Sequence, residues 1–430
     1  MFKFLDLKQQ IDKANKIYKK SLDSEFYTEK YKGIVNKGAM EEWHSLPILE
    51  REELFENTYP KSASMITENI ENMIVTSTGG SSGIARYTAY SHDEWDKFCD
   101  MQAKALSLIG IKKDDRVANL FIAGHLWPSF LGVHEALKRV GAVHLPISAN
   151  IPQEDIVKLC HEFQANVMLS LPTLFVFMAD IALKEGYDFK DLRLIGFAGE
   201  QMSIPAQEHV KKALKVKEIK ALAYSSSDAG LMGYQCPHCG FGTYHVPSDF
   251  QLLEIVDEKT GKPVGTGETG EIIVTSLERK KMPLIRYRIG DLAYYTGEQC
   301  KCGDKNPVFR LMGRSGDDFK LGGAYISMNV LEDAIYDAGE PFSTNFRITI
   351  EDVGNKMDIN ITVETADKER AMSKVEKLKE SVCKKIPEIP VGIKLNYISK
   401  FEVTIAEPGT IPRNPRTGKI KKLEDKRVKS

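Results

Sequence analysis

The chain has 430 residues, a length that suggests two or three domains rather than one small module. Its 59 Lys and Arg residues nearly balance 60 Asp and Glu residues, and the net charge of −1 gives no reason to expect a nucleic-acid partner. Hydrophobic residues make up 42% and charged residues 28%, which is typical of a soluble globular protein and excludes disorder for most of the chain.

The first half of the chain alternates between strand and helix patterns. A helix is predicted at residues 5–21, where apolar side chains recur at helical spacing. From Ile74 onwards short apolar strands alternate with amphipathic helices, for example the strand at 142–147 and the helix at 156–163. This alternation predicts a mostly parallel α/β sheet.

The second half has a different pattern. After Val246, two strand runs flank a Gly/Pro-rich turn at 257–270, which predicts antiparallel β structure. The last part combines strands with a helix at 366–386 and a strand at 393–401. We therefore predict an α/β fold whose large N-terminal domain contains mostly parallel sheets and a β-rich subdomain, followed by a small α+β C-terminal domain.

Processing signals and cysteine usage indicate a reducing compartment. The segment Met1–Lys20 carries Lys, Asp and Gln throughout and has no apolar core, so it is not a signal peptide. No window approaches the roughly 18 uncharged apolar residues of a membrane span. Seven cysteines are too few for a disulfide scaffold. We expect a cytoplasmic protein with no membrane partner.

Four of the cysteines stand in two close pairs. Cys236 and Cys239 frame a CPHCG segment, and Cys300 and Cys302 frame CKCG. Four thiolates can surround zinc tetrahedrally, and a complete set of four leaves no open position, so we predict one structural zinc ion. His238 and His245 are left open as substitutes for one cysteine. A redox pair or plain buried thiols are the alternatives.

A first candidate ligand site follows the apolar strand near residue 75. Residues 76–83 read TSTGGSSG, and small hydroxyl residues mixed with glycines let backbone N–H groups bind an anion. The alternative is a flexible linker. A strand-like run at 86–90 follows at once, which favours a phosphate-binding loop over a linker.

Two carboxylates and a basic tail are the other candidates. Asp228 ends the YSSSD segment at 224–228, where it can hold a divalent cation or simply cap a helix. Asp291 ends YRIGD, where it can bind the two hydroxyls of a ribose or form a turn. The tail around Lys419 is strongly basic, which is more often a solvated end than a site.

The order and spacing of these segments resemble the adenylate-forming superfamily of acyl-CoA synthetases, and within it the phenylacetate-CoA ligase group. The resemblance runs from about Ser24 to Lys426 and includes FAGE at 197–200, PLIRYRIGD at 283–291 and GRS at 313–315. It implies an N-terminal adenylation core at 1–314, with the zinc-stapled β subdomain around 236–302, and a mobile C-terminal cap at 315–430.

The resemblance also implies a reaction and its site residues. The enzyme is expected to join a carboxylic acid to coenzyme A with ATP and Mg²⁺, through an acyl-adenylate. The resemblance to this group implies an aryl or arylacetic acid. The catalytic residues are Lys419, which bridges the substrate carboxylate and the α-phosphate, and Asp228, which binds Mg²⁺. The nucleotide-binding residues are Ser77, Thr78, Gly79, Gly80, Ser81, Ser82, Gly83, Gly199, Glu200, Tyr224, Ser225, Ser227, Asp291 and Arg314.

Three departures from the family pattern leave alternatives open. Asp228 stands where the family usually has Glu, the phosphate loop ends in IAR at 84–86 rather than with Pro, and the segment after Gly313 is one residue longer. The alternatives are another acceptor (a carrier protein, a protein thiol or a deazaflavin) and a nucleotide-binding protein without turnover. The retained Lys419 argues against the last. The carboxylic acid itself and a homodimer are left open.

Overall fold

The fold is taken from a computed structural model that describes residues 2–34, 40–78, 86–200, 202–314, 319–321, 324–326, 328–343, 345–354, 356–365, 367–413 and 420–427. Within these residues no helix is long and apolar enough to cross a membrane. The chain divides into two compact units. Unit 1 comprises Met1–Ser170, Asp191–Gln201 and Glu218–Ser315, and unit 2 comprises Leu171–Lys190, Met202–Lys217 and Gly316–Ser430. The predicted domain boundary at 314/315 stays a prediction.

The helices are, in chain order, α1 (Leu7–Ser21), α2 (Glu25–Lys30), α3 (Met40–Ser45), α4 (Arg51–Asn57), α5 (His92–Leu108), α6 (Pro128–Val140), α7 (Gln153–Glu162), α8 (Pro172–Glu185), α9 (Ile204–Leu214), α10 (Met328–Ala338), α11 (Lys368–Met372), α12 (Val375–Lys385) and α13 (Glu388–Lys394). Local sequence explains several of their ends. Asp6 and Ser91 form capping boxes before α1 and α5, and Gly141 ends α6 in the left-handed conformation that glycine adopts without strain.

The strands are β1 (Met73–Ser77), β2 (Tyr87–Ser91), β3 (Arg116–Asn119), β4 (Val143–Leu145), β5 (Val167–Ser170), β6 (Leu194–Phe197), β7 (Glu218–Ala221), β8 (Tyr224–Ser226), β9 (Gly230–Gly233), β10 (Thr243–His245), β11 (Gln251–Val256), β12 (Gly270–Ser276), β13 (Tyr287–Tyr295), β14 (Val308–Arg314), β15 (Phe319–Leu321), β16 (Ala324–Ile326), β17 (Phe346–Val353), β18 (Lys356–Glu364), β19 (Ile398–Ala406) and β20 (Leu423–Asp425).

Unit 1 is built around two five-stranded sheets. The first is entirely parallel, in the order β4-β3-β5-β6-β7, and every residue of β5 and β6 is buried, as expected for strands covered on both faces. The second is antiparallel, in the order β10-β14-β13-β12-β11. The predicted combination of a parallel sheet with a β-rich region is confirmed.

Unit 2 contains the C-terminal α+β structure. Its four-stranded sheet has the order β19-β18-β17-β20, and its core is formed by apolar residues of β17 and β18 with α10 and α12. Leu378 and Val382 of α12 and Ile348 and Ile361 of the sheet are almost completely buried in this core.

Two predicted elements of this region differ from the structure. The helix expected at 366–386 is interrupted at Lys374, whose φ of −114° and ψ of 7° are not helical, and the apolar spacing continues across the break, so periodicity alone does not reveal it. The strand expected at 393–401 begins only at Ile398 because residues up to Lys394 belong to α13. Pro390 lies in the first turn of α13, where a helix needs no N–H donor.

Candidate active site

The predicted phosphate loop joins two antiparallel strands, β1 and β2. At the end of this hairpin, the N–H of Thr78 donates to the carbonyl of Arg86 (2.8 Å) and the N–H of Arg86 donates to Thr78 Oγ1 (3.0 Å). The hydroxyl of Ser77 donates to the carbonyl of His125 (2.7 Å). The two ends of the loop are therefore fixed side by side. The remaining predicted loop residues, Gly79, Gly80, Ser81, Ser82 and Gly83, lie outside the described residues.

Asp228 lies in the turn between β8 and β9, not at the start of a helix, so the helix-cap interpretation is wrong. Its side chain is 2% exposed. Oδ2 accepts two hydrogen bonds from Arg86, through Nε (3.0 Å) and Nη2 (2.9 Å), and one from the hydroxyl of Tyr287 (2.8 Å). Burial, reinforced by the Asp228 carboxylate, raises the pKa of Tyr287 well above its usual value, so the hydroxyl keeps the proton that it donates.

The other oxygen of the same carboxylate fits a cation. Asp228 Oδ1 is buried, and the described residues offer it no hydrogen-bond donor. A buried carboxylate oxygen without a donor is rare in folded proteins, because it loses its hydration without compensation. Mg²⁺ prefers carboxylate oxygen, so Oδ1 is the atom through which Asp228 would hold this ion.

Arg279 links the Asp228 turn to the return strand of the phosphate loop. Its guanidinium donates to the carbonyl of Asp228, to the hydroxyl of Thr88 and to the carbonyl of Ala89 in β2, and it lies 4.1 Å from the ring centre of Tyr90. The sequence interpretation assigned no role to Arg279. Along the chain, Arg279 lies between the predicted ligand segments at 224–228 and 283–291, but nothing local identified its partners.

The two residues predicted to bind the nucleoside are in direct contact. The hydroxyl of Tyr224 donates to Asp291 Oδ2 (2.6 Å), and both residues are buried. The ring of Tyr224 packs at 5.7 Å from that of Phe309. Asp291 lies within β13 rather than in a turn, and its backbone is paired with Arg314 of β14. The side chain of Arg314 is outside the described part of the structure.

The remaining predicted nucleotide residues lie near the carboxyl ends of parallel strands. Gly199, with a φ of +80°, and Glu200 follow β6 by two and three residues. The N–H of Leu222 donates to the carbonyl of Phe197 (2.8 Å), so the segment that leads to Tyr224 starts beside the end of β6. Ligands of α/β sheets usually bind at this edge. The half-buried Ser225 and Ser227 flank Ser226 in the same segment. Lys419 lies outside the described residues.

The four predicted zinc ligands gather with a histidine. Cys236 Sγ lies 3.6 Å from the Sγ atoms of both Cys239 and Cys300, and Cys302 Sγ lies 3.6 Å from His245 Nε2. Two thiolates bound to one tetrahedral zinc at about 2.3 Å are expected to lie about 3.8 Å apart. Within the described residues, ligand atoms of four residues lie within 4.8 Å of one another: Cys236, His245, Cys300 and Cys302.

The surroundings of the cysteines and His245 suit metal ligands. The Nδ1 atom of His245 lies 3.3 Å from the carbonyl of Asn306, which selects the tautomer with Nδ1–H and leaves Nε2 as the free donor atom toward Cys302. Backbone N–H groups of Cys236 and His238 point at Cys239 Sγ and Cys236 Sγ, both at 3.4 Å. Sulfur atoms bearing negative charge are stabilised by such donors. The sulfur and imidazole donor set therefore fits zinc.

Comparison with protein families identifies two regions. Residues 153–277 match the model of the AMP-binding enzyme, and residues 330–427 match that of the AMP-binding enzyme C-terminal domain. Together the two models match more than half of the chain.

Individual relatives and solved structures cover nearly the whole length. A phenylacetate-coenzyme A ligase of Thermus thermophilus is 24% identical over 370 residues, covering 82% of this chain and 80% of the relative. One of Pseudomonas putida is 23% identical and covers 91% and 86%. The structure of 2-hydroxyisobutyryl-CoA ligase in complex with 2-HIB-AMP in the postadenylation state has a TM-score of 0.81 at 18% identity, covering 97% of this chain and 89% of that chain.

Proposed function

The chain belongs to the AMP-binding enzyme family, and from this membership we propose that it is an AMP-forming acid–CoA ligase that acts on an aryl or arylacetic acid. The observation that carries the proposal is the pair of hydrogen bonds Tyr224–Asp291 and Tyr287–Asp228, which joins the two predicted nucleotide segments. The arylacetic class rests on the curated relatives, which are phenylacetate-coenzyme A ligases.

The proposed reaction has two steps. A carboxylate oxygen of the acid attacks the α-phosphorus of ATP, and the bond to pyrophosphate breaks. The thiolate of coenzyme A then attacks the acyl carbon, and AMP leaves with the electron pair of the broken C–O bond. Lys419 offsets the repulsion between the two anions in the first step, where a fixed cation is most effective.

The remaining residues bind and orient ATP. The loop from Ser77 to Gly83 holds the β- and γ-phosphates with its N–H groups and hydroxyls. Gly199, Glu200 and Tyr224 flank the adenine with Ser225 and Ser227 nearby, and Asp291 binds the ribose hydroxyls with Arg314 on the paired strand. These assignments follow the resemblance, and the Tyr224–Asp291 hydrogen bond supports placing base and ribose side by side.

Two metals are part of the proposal. Mg²⁺, when bound, neutralises charge on the pyrophosphate, and Asp228 would hold it through Oδ1. A structural zinc ion would be held by Cys236, Cys300, Cys302 and His245, whose ligand atoms all lie within 4.8 Å of one another. This ligand set replaces the predicted Cys239 by His245, one of the two substitutes that the sequence left open.

Location and assembly are also proposed from indirect observations. None of the seven cysteines, all of which are described, forms a disulfide bond, and this supports a cytoplasmic location. ATP, a small carboxylic acid and CoA are the proposed partners, with no nucleic acid, and a homodimer remains a prediction.

Carboxylate-dependent exchange between ATP and radioactive pyrophosphate tests the first step, and thioester formation with CoA tests the second. We expect both, with an arylacetic acid the best of a panel of acids. Exchange without a CoA thioester would assign another acceptor, such as a carrier protein, a protein thiol or a deazaflavin. No exchange with any acid would favour a nucleotide-binding protein without turnover.

Lys419→Ala separates the two steps. The variant should lose exchange but still form thioester from a synthetic acyl-adenylate and CoA, because Lys419 serves only the first step. Equal loss of both steps would contradict this division of labour.

A further inference from the structure

One arginine holds the chain on both sides of the segment that contains Lys419. The guanidinium of Arg347 donates through Nη2 to the carbonyl of Pro412 (2.8 Å) and through Nε to the carbonyl of Lys421 (3.1 Å). The backbones of Arg413 and Ile420 pair as an antiparallel bridge. Arg413 and Ile420 are therefore neighbours in space, and Arg347 contacts the chain on both sides of them.

Arg347 is itself fixed within unit 2. It belongs to β17, its side chain is 16% exposed, and its Nη1 lies 3.6 Å from Glu424 Oε2. Beyond it, the N–H of Ile348 donates to the carbonyl of Lys422 (2.7 Å), where parallel pairing of β17 with β20 begins. The arginine is thus part of the sheet that the returning chain joins.

Glu364 holds the chain on the N-terminal side of the segment that contains Lys419. Glu364 is 1% exposed, and its carboxylate accepts hydrogen bonds from Arg413 (2.7 and 3.1 Å) and from the N–H of Ile411 (2.9 Å). The guanidinium of Arg413 also lies 4.8 Å from the ring centre of Phe177. Glu364 fixes one side only, whereas Arg347 contacts both.

We propose that Arg347 is a positioning residue for the adenylation step, and this inference rests on the proposed function. Lys419 is covalently joined to Ile420, so holding the chain at Pro412 and Lys421 restricts the positions available to the lysine. A displacement of about 1 Å in a reacting group can lower a rate about a hundredfold. Arg347 acts on the reaction only through this placement of Lys419.

The planar guanidinium is essential to this role. Arg347 reaches two carbonyl oxygens at once, whereas the ammonium group of a lysine on a flexible chain is a single compact charge. Arg347→Lys should therefore retain the charge but lose the link between the two sides. Arg347→Met should lose both.

The test compares Arg347→Met and Arg347→Lys with wild type in three measurements: ATP–pyrophosphate exchange, thioester formation from synthetic acyl-adenylate with CoA, and thermal unfolding. The matched control is Arg370→Met, which removes an arginine of the same unit whose side chain is 51% exposed and 4.0 Å from Glu340. We expect exchange kcat to fall at least about tenfold in Arg347→Met, with KM for ATP and the thioester rate within about twofold. Arg347→Lys should lose exchange to a similar extent, because it also lacks the link between the two sides, and Arg370→Met should be unchanged.

Equal loss of exchange and thioester formation, or an unchanged exchange rate, would overturn the positioning role. Loss of exchange in parallel with a lower unfolding temperature in both variants would assign a merely structural role and overturn it as well. If the proposed ligase function itself were wrong, the wild-type protein would show no carboxylate-dependent exchange, so the two failures can be distinguished.

Discussion

Tyr224 donates a 2.6 Å hydrogen bond to Asp291. Asp228 follows Tyr224 by four residues and Tyr287 precedes Asp291 by four, and Tyr287 donates to Asp228 at 2.8 Å. Each segment contributes one tyrosine and one aspartate, and each tyrosine binds the aspartate of the other segment. The two carboxylates proposed to bind ribose and metal are thus fixed by one crossed pair of contacts.

Tyr224→Phe should raise the KM for ATP about tenfold, because a hydrogen bond to a charged group contributes about 1.5–3 kcal/mol and Asp291 loses the donor that orients it. Exchange kinetics at varied ATP concentration measure the change. Tyr295→Phe is the control: it removes the hydroxyl of the half-buried Tyr295 in β13, which donates to the carbonyl of Leu253 (2.6 Å). Equal KM values in the two variants would contradict a role for Tyr224 in ATP binding.

Arg86→Met should lower the free energy of unfolding by about 3 kcal/mol, because it leaves the buried carboxylate of Asp228 without its charged partner. Urea denaturation measures this loss. Adding Asp228→Asn to the same chain should recover part of it, since the unpaired charge is then gone. Additive losses in the double variant would show that the two residues do not interact energetically.

The purified protein should contain about one zinc ion per chain, and a strong chelator should lower its unfolding temperature. His245→Ala should lose the metal, whereas Cys239→Ser should keep it, since His245 rather than Cys239 belongs to the tight cluster. Elemental analysis by mass spectrometry gives the content, and Cys383→Ser is the control for losing a thiol elsewhere. If Cys239→Ser lost zinc and His245→Ala retained it, the result would instead support the predicted site of four cysteine ligands.

The stability of the folded protein should decrease as the pH falls, because protonation of His144 favours the unfolded chain. Burial, with a smaller effect of the neighbouring His134, lowers the pKa of His144 from its usual 6.5 to about 4. Between these values the unfolded chain binds more protons than the folded one, so the contribution is complete above pH 6.5 and is lost as the pH falls toward 4.

His144→Gln should therefore flatten the decrease of the unfolding temperature over this pH range, as thermal unfolding at several pH values will show. The exposed His92 at the start of α5 supplies the control, His92→Gln, which should keep the wild-type slope. If the unfolding temperature of His144→Gln depended on pH as it does in the wild type, His144 would not be the cause of the pH dependence.

Much of the candidate site could be predicted because its residues occur in short, continuous segments. Asp228 and Tyr224 share one such segment, and Asp291 ends another, so local composition and family resemblance were enough to select them. The fold class was predictable for the same reason, since alternating strands and helices are encoded in periodicities of a few residues. The interruption of the 366–386 helix at Lys374 was not, because the apolar spacing continues through it.

The sequence by itself determined which segments are predicted to carry the chemistry, namely the Gly/Ser loop, the two Tyr–Asp segments and the cysteine pairs. Only the tertiary structure decided how they are combined: Arg86 with Asp228, His245 with Cys302, and Arg347 with both sides of the Lys419 segment. These partners are separated by 142, 57 and about 70 residues along the chain. No local periodicity encodes such contacts, because they form only when strands distant in sequence become neighbours in a sheet or turn.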